Sequence, residues 1–585
     1  MNDNLPVPAS HTNIPDSRGM NLFEADPSFD ALLKVYMAPP LHAHLRPILN
    51  DLGARAGNEL DRLASSADKH PPELQHRSRQ GLDIQTLDKH PDYVALERTA
   101  YGELGLAAMS HRKGVLAWPE VMPPLAKYSL TYLFVQAEFG LCCPVSMTDS
   151  LTRTLRKFGD PELIARFLPS LTSTDFDELY QGAMFMTEQG AGSDVGGVAT
   201  RAHQDGGDWR LTGDKWFCSN ADADLAMVLA RPDGAPEGLK GLGLFLLPKR
   251  LPDGSRNHYR IIRLKEKLGT RSMASGEIRL EGAIAYPVGD LTRGFQQIAD
   301  MVNMSRLSNG VRSAGMMRRA FREALYIAEN RTAFNKKLID MPLMQRQLLK
   351  MMVPTEAARS IFMHTAICLE CADAGDADAG KRLRILTPLL KFRACRDARK
   401  VTGDAMEVRG GCGYIEEWSD ARLLRDAHLG SIWEGTSNIV VLDVLRAVRR
   451  ENVLAPLQRY LLGLLDEPNI PKATADSLRG MLDKAAAAVS RAIGQEDGEY
   501  GARQAATTLY YTVAAFFMAW EAGRQAPDYR RLAIAHLVIR HKLTPVDPFG
   551  SEPATDRRFQ QLLLSEQAMT LEDAMCLLHE PARAV

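Results

Sequence analysis

Residues Glu407–Asp443 read EVRGGCGYIEEWSDARLLRDAHLGSIWEGTSNIVVLD, and the fold turns on this stretch. A helical run stops at Gly410-Gly411-Cys412-Gly413, and acids and arginines follow through Arg425-Asp426. Then Glu434 stands as an isolated carboxylate inside Ile432-Trp433-Glu434-Gly435-Thr436. Glycine clusters end helices because glycine enters left-handed backbone without steric cost. An acid in an apolar run, set on a Gly-Thr turn, has the surroundings in which carboxylates serve as general bases. A second reading fits the same letters: Glu434 opens a helix and interacts with the positive end of its dipole.

Working outward, a chain of 585 residues divides into several domains, since single cores stop growing near roughly 250–300 residues. With 45% apolar and 24% charged residues the composition is that of a globular protein. A formal net charge of −1 provides no global field for nucleic acid or membrane. The eight cysteines are spread unevenly and read as free thiols. Cys368 and Cys371 form one CxxC with no second pair, short of the four ligands zinc takes. MNDNLPVPASHT has neither a basic nor an apolar leader region, and Leu509–Trp520 falls short of the roughly 20 residues a span needs. The expected compartment is the cytoplasm.

In chain order, residues 1 to about 30 are polar and read as irregular, and helical patterns fill the rest of 1–180. There, Cys142-Cys143-Pro144 is expected to break an apolar run, and Asp160-Pro161 to start a helix. From 181 to 290 the period changes to short strands: 198–204 and 208–212 joined by Asp205-Gly206-Gly207, then 225–230, 242–247, 258–264 and 276–280. Without helices between them they imply a small antiparallel barrel or sandwich. Gly190-x-Gly192-x-x-x-Gly196 is one residue too long for the dinucleotide fingerprint and lacks strand–helix alternation, which excludes a Rossmann domain. Helical periodicity returns over 291–450, at Met317, Phe321, Leu325 and Ala328 among others, and continues as an extension over 451–585.

The pattern E-x-x-G-G-x-G-Y-x-x-E from Glu407, with Arg422, Asp426 and Glu434 at their spacing, resembles the acyl-CoA dehydrogenase family's C-terminal signature. Met186–Gly197, MTEQGAGSDVGG, resembles its flavin-binding signature. The resemblance implies an α+β multidomain fold: an N-terminal helical domain, a central antiparallel β-domain and a C-terminal four-helix bundle. It implies FAD as cofactor, an acyl-CoA thioester as substrate, an electron-transfer flavoprotein or similar acceptor, and a homotetramer built as a dimer of dimers. Glu434 then matches the base that takes the α-proton while the β-hydride leaves to flavin N5. One branch of the family carries its base directly before an arginine of the first bundle helix; here that arginine matches Arg306, and Ser305 precedes it.

The same resemblance assigns the flavin contacts. Thr187 matches the hydrogen-bond partner of the isoalloxazine, and Gly192 and Ser193 the pyrophosphate loop. KWFCSN matches K-x-W-I-T-N, with Phe217 in place of the family's tryptophan and Ser219 as the hydroxyl near N5. Arg331, Phe334, Gln345, Gly410, Gly411, Thr436 and Asn438 match the contacts to the adenine half, shared with a neighbouring subunit. His428 reads as an exposed or satisfied histidine. Trp433, beside the base, is expected to limit acyl length, so that W433G admits longer chains.

NLFEADP, RLASSADKHPPEL, LCCPVSMT and SIWEGTSNIVVLDVLR are similar to the AidB-like group of that family, known from the adaptive response to DNA alkylation. This gives the alternative function: a flavoprotein that binds DNA, with weak or vestigial dehydrogenase turnover. DNA affinity rests on basic groups neutralising phosphates. Residues 451–585 carry 14 Lys and Arg against 17 Asp and Glu, a net of −3. The local basic groups Arg446/Arg449/Arg450 and Arg530/Arg531 read as solvated helix surface, so DNA is the less favoured reading.

Overall fold

The computed structural model describes residues 13–545, 549 and 557–579, with the backbone alone at 557–559 and 579. It divides into two compact units, one Glu59–Ser308, the other Met1–Asn58 together with Asn309–Val585. The order helical, strand, helical is the one observed.

In the unit Glu59–Ser308, the helix Pro161–Leu171 starts where its sequence implies. Asp160 accepts the N–H of Glu162 at 2.8 Å, and Pro161 sits in the first turn, where its missing N–H costs nothing. For the same reason Cys142-Cys143-Pro144 opens the helix Cys142–Phe158 instead of breaking a run. A hairpin, Glu73–Arg77 with Asp83–Asp88, lies inside the region read as helical. Most of its residues are exposed, so no apolar alternation announced it.

Seven strands form the central sheet. In spatial order they are Gly182–Phe185, Leu225–Pro232, Arg201–Asp205, Asp208–Ser219, Ser275–Pro287 and Gly243–Pro248, with Tyr259–Leu264 also on Ser275–Pro287. Leu225–Pro232 pairs in addition with Gly243–Pro248, which closes the path into a small barrel. Most pairs are antiparallel, but Leu225–Pro232 runs parallel to Gly182–Phe185 and to the start of Arg201–Asp205. Phe185, Leu211, Val228, Phe245, Ile261 and Ile278 fill the interior, each contributing roughly 1.5–3 kcal/mol by leaving water.

In the second unit the start read as irregular to residue 30 lies outside the described residues up to residue 12. It is helical from Pro27, where Asp26 accepts the N–H of Phe29. The long helices Pro342–Asp373 and Ala377–Arg409 carry the tail helices Leu454–Leu464, Ala502–Gln525 and Arg530–Val538, and Lys472–Gly494 packs on Ala502–Gln525. Tyr511 donates to Asp397 at 2.7 Å, Ser360 donates to Glu521 at 3.0 Å, and His364 stacks on Phe517 at 3.6 Å. The tail aromatics Tyr510, Tyr511, Phe516 and Phe517 are therefore core.

Arg530 and Arg531, read from the sequence as solvated, are 3% and 2% exposed. Together with Arg318 and Arg359 they face the buried acids Asp26, Glu356, Glu521 and Glu566. Arg359 reaches Asp26 at 2.8 Å, Arg318 reaches Glu566 at 2.6 Å, and Arg531 reaches Glu521 at 2.6 Å and also pairs with Glu356. The cluster ties the N-terminal segment, the long helices and the tail together. Arg318, Arg359 and Arg531 are spent on these carboxylates and Arg530 donates to the Leu563 carbonyl at 2.9 Å, so the buried cluster offers nothing to phosphate, whereas Arg446, Arg449 and Arg450 are exposed. No helix among the described residues is long and apolar enough to cross a membrane.

Candidate functional site

The glycine loop of the β-domain is pinned by Glu188. Its carboxylate accepts the N–H of Ala199 at 2.6 Å and of Thr200 at 3.2 Å, the hydroxyl of Thr200, and the ammonium of the buried Lys215 at 2.7 Å. Residues 190–197 thus leave and return to one anchor. Burial pushes the Lys215 ammonium below its ordinary value, and Glu188 opposes this. A Cβ on Gly190 or Gly192 would meet nothing within 4 Å, and Gly192 and Ser193 are exposed, so their backbone is accessible to a ligand. Thr187 accepts the Trp216 N–H at 2.8 Å through its carbonyl, which brings it beside Phe217 and Ser219 on the strand Asp208–Ser219. Phe217 is 57% exposed, and the Lys265 ammonium lies over the neighbouring Trp216 ring at 3.3 Å.

A second group of residues gathers where the helix Ala377–Arg409 ends. Gly410 takes φ +74°, and a Cβ on Gly413 would meet the Met406 carbonyl at 2.3 Å, so both positions of the glycine cluster require glycine. Arg409 is buried between Glu323 at 2.8 Å and Asp420 at 2.5 Å, and its carbonyl accepts from Arg331 Nη1 at 2.9 Å. A Cβ on Gly410 would lie 3.5 Å from that same Arg331 nitrogen, while around Gly411 there is open space. Phe334 is 92% exposed in left-handed backbone with φ 52°. Gln345 is buried, and its Oε1 has no hydrogen-bond partner among the described residues.

Glu434 occupies the turn between the helices Ser419–Gly430 and Ser437–Glu451. Its φ is 56° and that of Gly435 is 100°, a left-handed pair that costs about 1–3 kcal/mol at a non-glycine residue. The strain is held from outside. Lys391, buried in the helix Ala377–Arg409, donates to the carbonyls of Trp433, at 2.8 Å, and Gly435, one on each side of the glutamate. Asn309 donates to the Gly430 carbonyl at 3.2 Å and to Glu434 Oε2 at 3.4 Å. Arg312 places Nη2 3.7 Å from Glu434 Oε1, the side chains being 0% and 6% exposed. The carboxylate that looks isolated in the sequence therefore has a cation beside it. Nor does it open the helix, which starts at Ser437 with Thr436 at the capping position and Asn438 exposed in the first turn.

Trp433 packs its ring on Arg312, with the guanidinium 5.0 Å from the ring centroid, so W433G would disturb the support of Glu434 as well as any acyl pocket. His428 is partly exposed, and burial together with Arg399 pushes its imidazole below the ordinary value. Burial pushes the Cys368 thiol up to about 11, and the described residues hold no group of side chains arranged for a metal.

Sequence reasoning brought the residues around Glu434 and Gly410 into one unit, and Thr187, Gly192, Ser193, Phe217 and Ser219 into the other. It missed Asn309, Arg312, Lys391, and the Glu188–Lys215 anchor. None carries a local signal, because each acts on a segment distant in the chain.

The arrangement matches known proteins along nearly its whole length. Residues 292–449 match the profile for the acyl-CoA dehydrogenase C-terminal domain, and residues 183–283 that for the middle domain. The chain is 34% identical to acyl-CoA dehydrogenase family member 11 of Caenorhabditis elegans over 76% of its own length and 73% of that protein's. It belongs to the acyl-CoA dehydrogenase family, whose members are FAD flavoproteins. Within the family it falls in the AidB-like group. Residues 13–178 match the profile of the adaptive response protein AidB N-terminal domain. The chain is also 36% identical to the putative acyl-CoA dehydrogenase AidB of Escherichia coli K12, over 70% of this chain and 74% of that one. The solved structure of Caenorhabditis elegans ACDH-11 in complex with C11-CoA superimposes with a TM-score of 0.84 at 29% identity, covering 91% of this chain and 93% of that one.

Proposed function

We propose that this chain oxidises an acyl-CoA thioester to its enoyl thioester, with Glu434 as the base. One observation carries the reading: a glutamate in strained left-handed backbone, its side chain 6% exposed, is held by Asn309, Arg312 and Lys391. Strain that the surroundings hold in place clusters at functional sites. The C11-CoA bound to the related ACDH-11 supports an acyl-CoA thioester as the substrate.

The residues present fit FAD. Exposed Phe217 and Phe334 offer apolar faces to planar rings, the loop at Gly192 and Ser193 offers backbone N–H groups to phosphate, and Gln345 Oε1 awaits a donor. Thr187, Phe217 and Ser219 would hold the isoalloxazine end of one cofactor; Arg331, Phe334, Gln345, Gly410, Gly411, Thr436 and Asn438 would hold the adenine half of a cofactor shared with a neighbouring subunit. When bound, FAD supplies the two-electron acceptor for the β-hydrogen. Glu434 breaks the α C–H bond by taking the proton onto a carboxylate oxygen, and the released electron pair becomes the Cα–Cβ double bond. Phe217 supplies the apolar wall but no indole N–H.

The reading extends to a dimer-based homotetramer in the cytoplasm that passes electrons to an electron-transfer flavoprotein, and the 92% exposure of Phe334 supports a subunit partner there. Turnover of a panel of acyl-CoA thioesters with a dye acceptor tests the activity: a trans-2-enoyl product from one chain class is expected, and none from any thioester contradicts it. F334A and Q345L should each weaken FAD retention about tenfold on ultrafiltration, a loss of roughly 1.4 kcal/mol. Unchanged retention would remove both residues from the cofactor site.

A further inference from the structure

Arg312 is fully buried on the helix Gly294–Asn330, three residues from Asn309, so the two side chains share one helix face. That face meets the turn at two successive residues. The Arg312 guanidinium packs on the Trp433 ring and lies 3.7 Å from Glu434 Oε1, while Asn309 reaches Oε2 at 3.4 Å. Each carboxylate oxygen is thereby given a side, and the plane of the group is set.

We infer that Arg312 is a positioning residue for proton abstraction, its stacked guanidinium fixing the plane in which Glu434 presents its carboxylate to the thioester. This rests on the reading of Glu434 as the base. A buried ion pair held only for stability is replaceable as a pair by apolar packing, often without loss. Here the cation sits instead against a strained turn whose backbone is already fixed by Lys391. Lys391 sets where the glutamate begins, and Arg312 sets where it points. Misplacing a catalytic group by about 1 Å lowers rates about 10²-fold.

The test is exchange of the α-hydrogen of an acyl-CoA thioester with deuterated solvent, followed anaerobically by mass spectrometry, which reads proton abstraction without turnover. Binding is measured by calorimetry, and folding by FAD content and thermal melt. R312Q should slow exchange about 10–100-fold with the Kd of the thioester unchanged within about twofold. R312K keeps the charge but loses the planar guanidinium on the Trp433 ring, and should slow exchange about tenfold or more, again with Kd unchanged. Native exchange in folded R312Q overturns the inference, as does native exchange in R312K. Where R312Q does not accumulate as folded protein, R312K decides alone, and a Kd that worsens more than exchange slows contradicts it. E434Q separates the two claims. If E434Q abolishes exchange while R312Q leaves it intact, only the role of Arg312 fails; if E434Q exchanges normally, the base assignment fails.

Discussion

E434Q oxidises acyl-CoA thioesters about 10²–10⁴-fold more slowly than the native protein, the contribution typical of a positioned general base. Glutamine keeps the length and shape of the side chain but cannot accept the proton, so FAD content and thioester affinity should stay within about twofold. The competing idea, a glutamate placed only for a helix dipole, predicts something different in kind. Such an interaction is worth about 0.3–1 kcal/mol of stability and would leave turnover intact. Glu434 lies outside the helix Ser437–Glu451, in left-handed backbone. The substitution also leaves the buried Arg312 without its carboxylate partner at 3.7 Å. A modest fall in melting temperature therefore accompanies the loss of rate without explaining it. A variant that loses stability but keeps its rate removes Glu434 from the chemistry.

E356A destabilises the unit that contains the tail by about 3–5 kcal/mol, the cost of stranding buried charges. Glu356 is fully buried and meets Arg359 and Arg531, with Arg318 at 3.5 Å. Burial pushes its carboxyl up, yet the guanidinia of Arg359, Arg531, Arg530 and Arg318 outweigh burial and hold it well below the usual carboxylate range. Glu566 is held at about 2 by the same opposition of burial against Arg318 and Arg530. As the pH falls below the unfolded value of 4.5, the unfolded chain takes up these protons before the folded one does. The stabilisation is complete above about pH 5 and drains away towards pH 2. His364 adds a slope that begins earlier: burial keeps its imidazole neutral in the fold, so stability starts to fall below 6.5. Melts recorded from pH 7 to pH 3 should show both slopes in the native protein and a flatter lower limb in E356A. Parallel curves would show that the cluster carries no such linkage.

Most of the fold was legible because its signals are local. The glycines after Arg409 are required by backbone geometry at Gly410 and Gly413, and such requirements leave a fixed spacing in the chain. The strand at 225–230 showed as an apolar run because nearly every residue of Leu225–Pro232 is buried. The strand read as 208–212 runs on to Ser219, but Gly213 and Asp214 interrupt its pattern and hid the extension. The hairpin at 73–88 was invisible because its exposed residues lack an apolar face. Arg530 and Arg531 misled for a different reason. Charge reads as surface until its partners are known: those of Arg531, Glu356 and Glu521, come from two helices that only the fold brings together, and Arg530 donates to the Leu563 carbonyl. Around Glu434 the sequence named the acid and nothing that holds it, since Asn309 and Arg312 lie more than a hundred residues upstream.

The most direct measurement is an anaerobic titration of the purified yellow protein with acyl-CoA thioesters of graded chain length, followed by flavin absorbance, with E434Q alongside. Bleaching by one chain class, absent in E434Q, is the predicted result. No bleaching by any thioester at full FAD occupancy would contradict the account and direct attention to salt-dependent DNA binding.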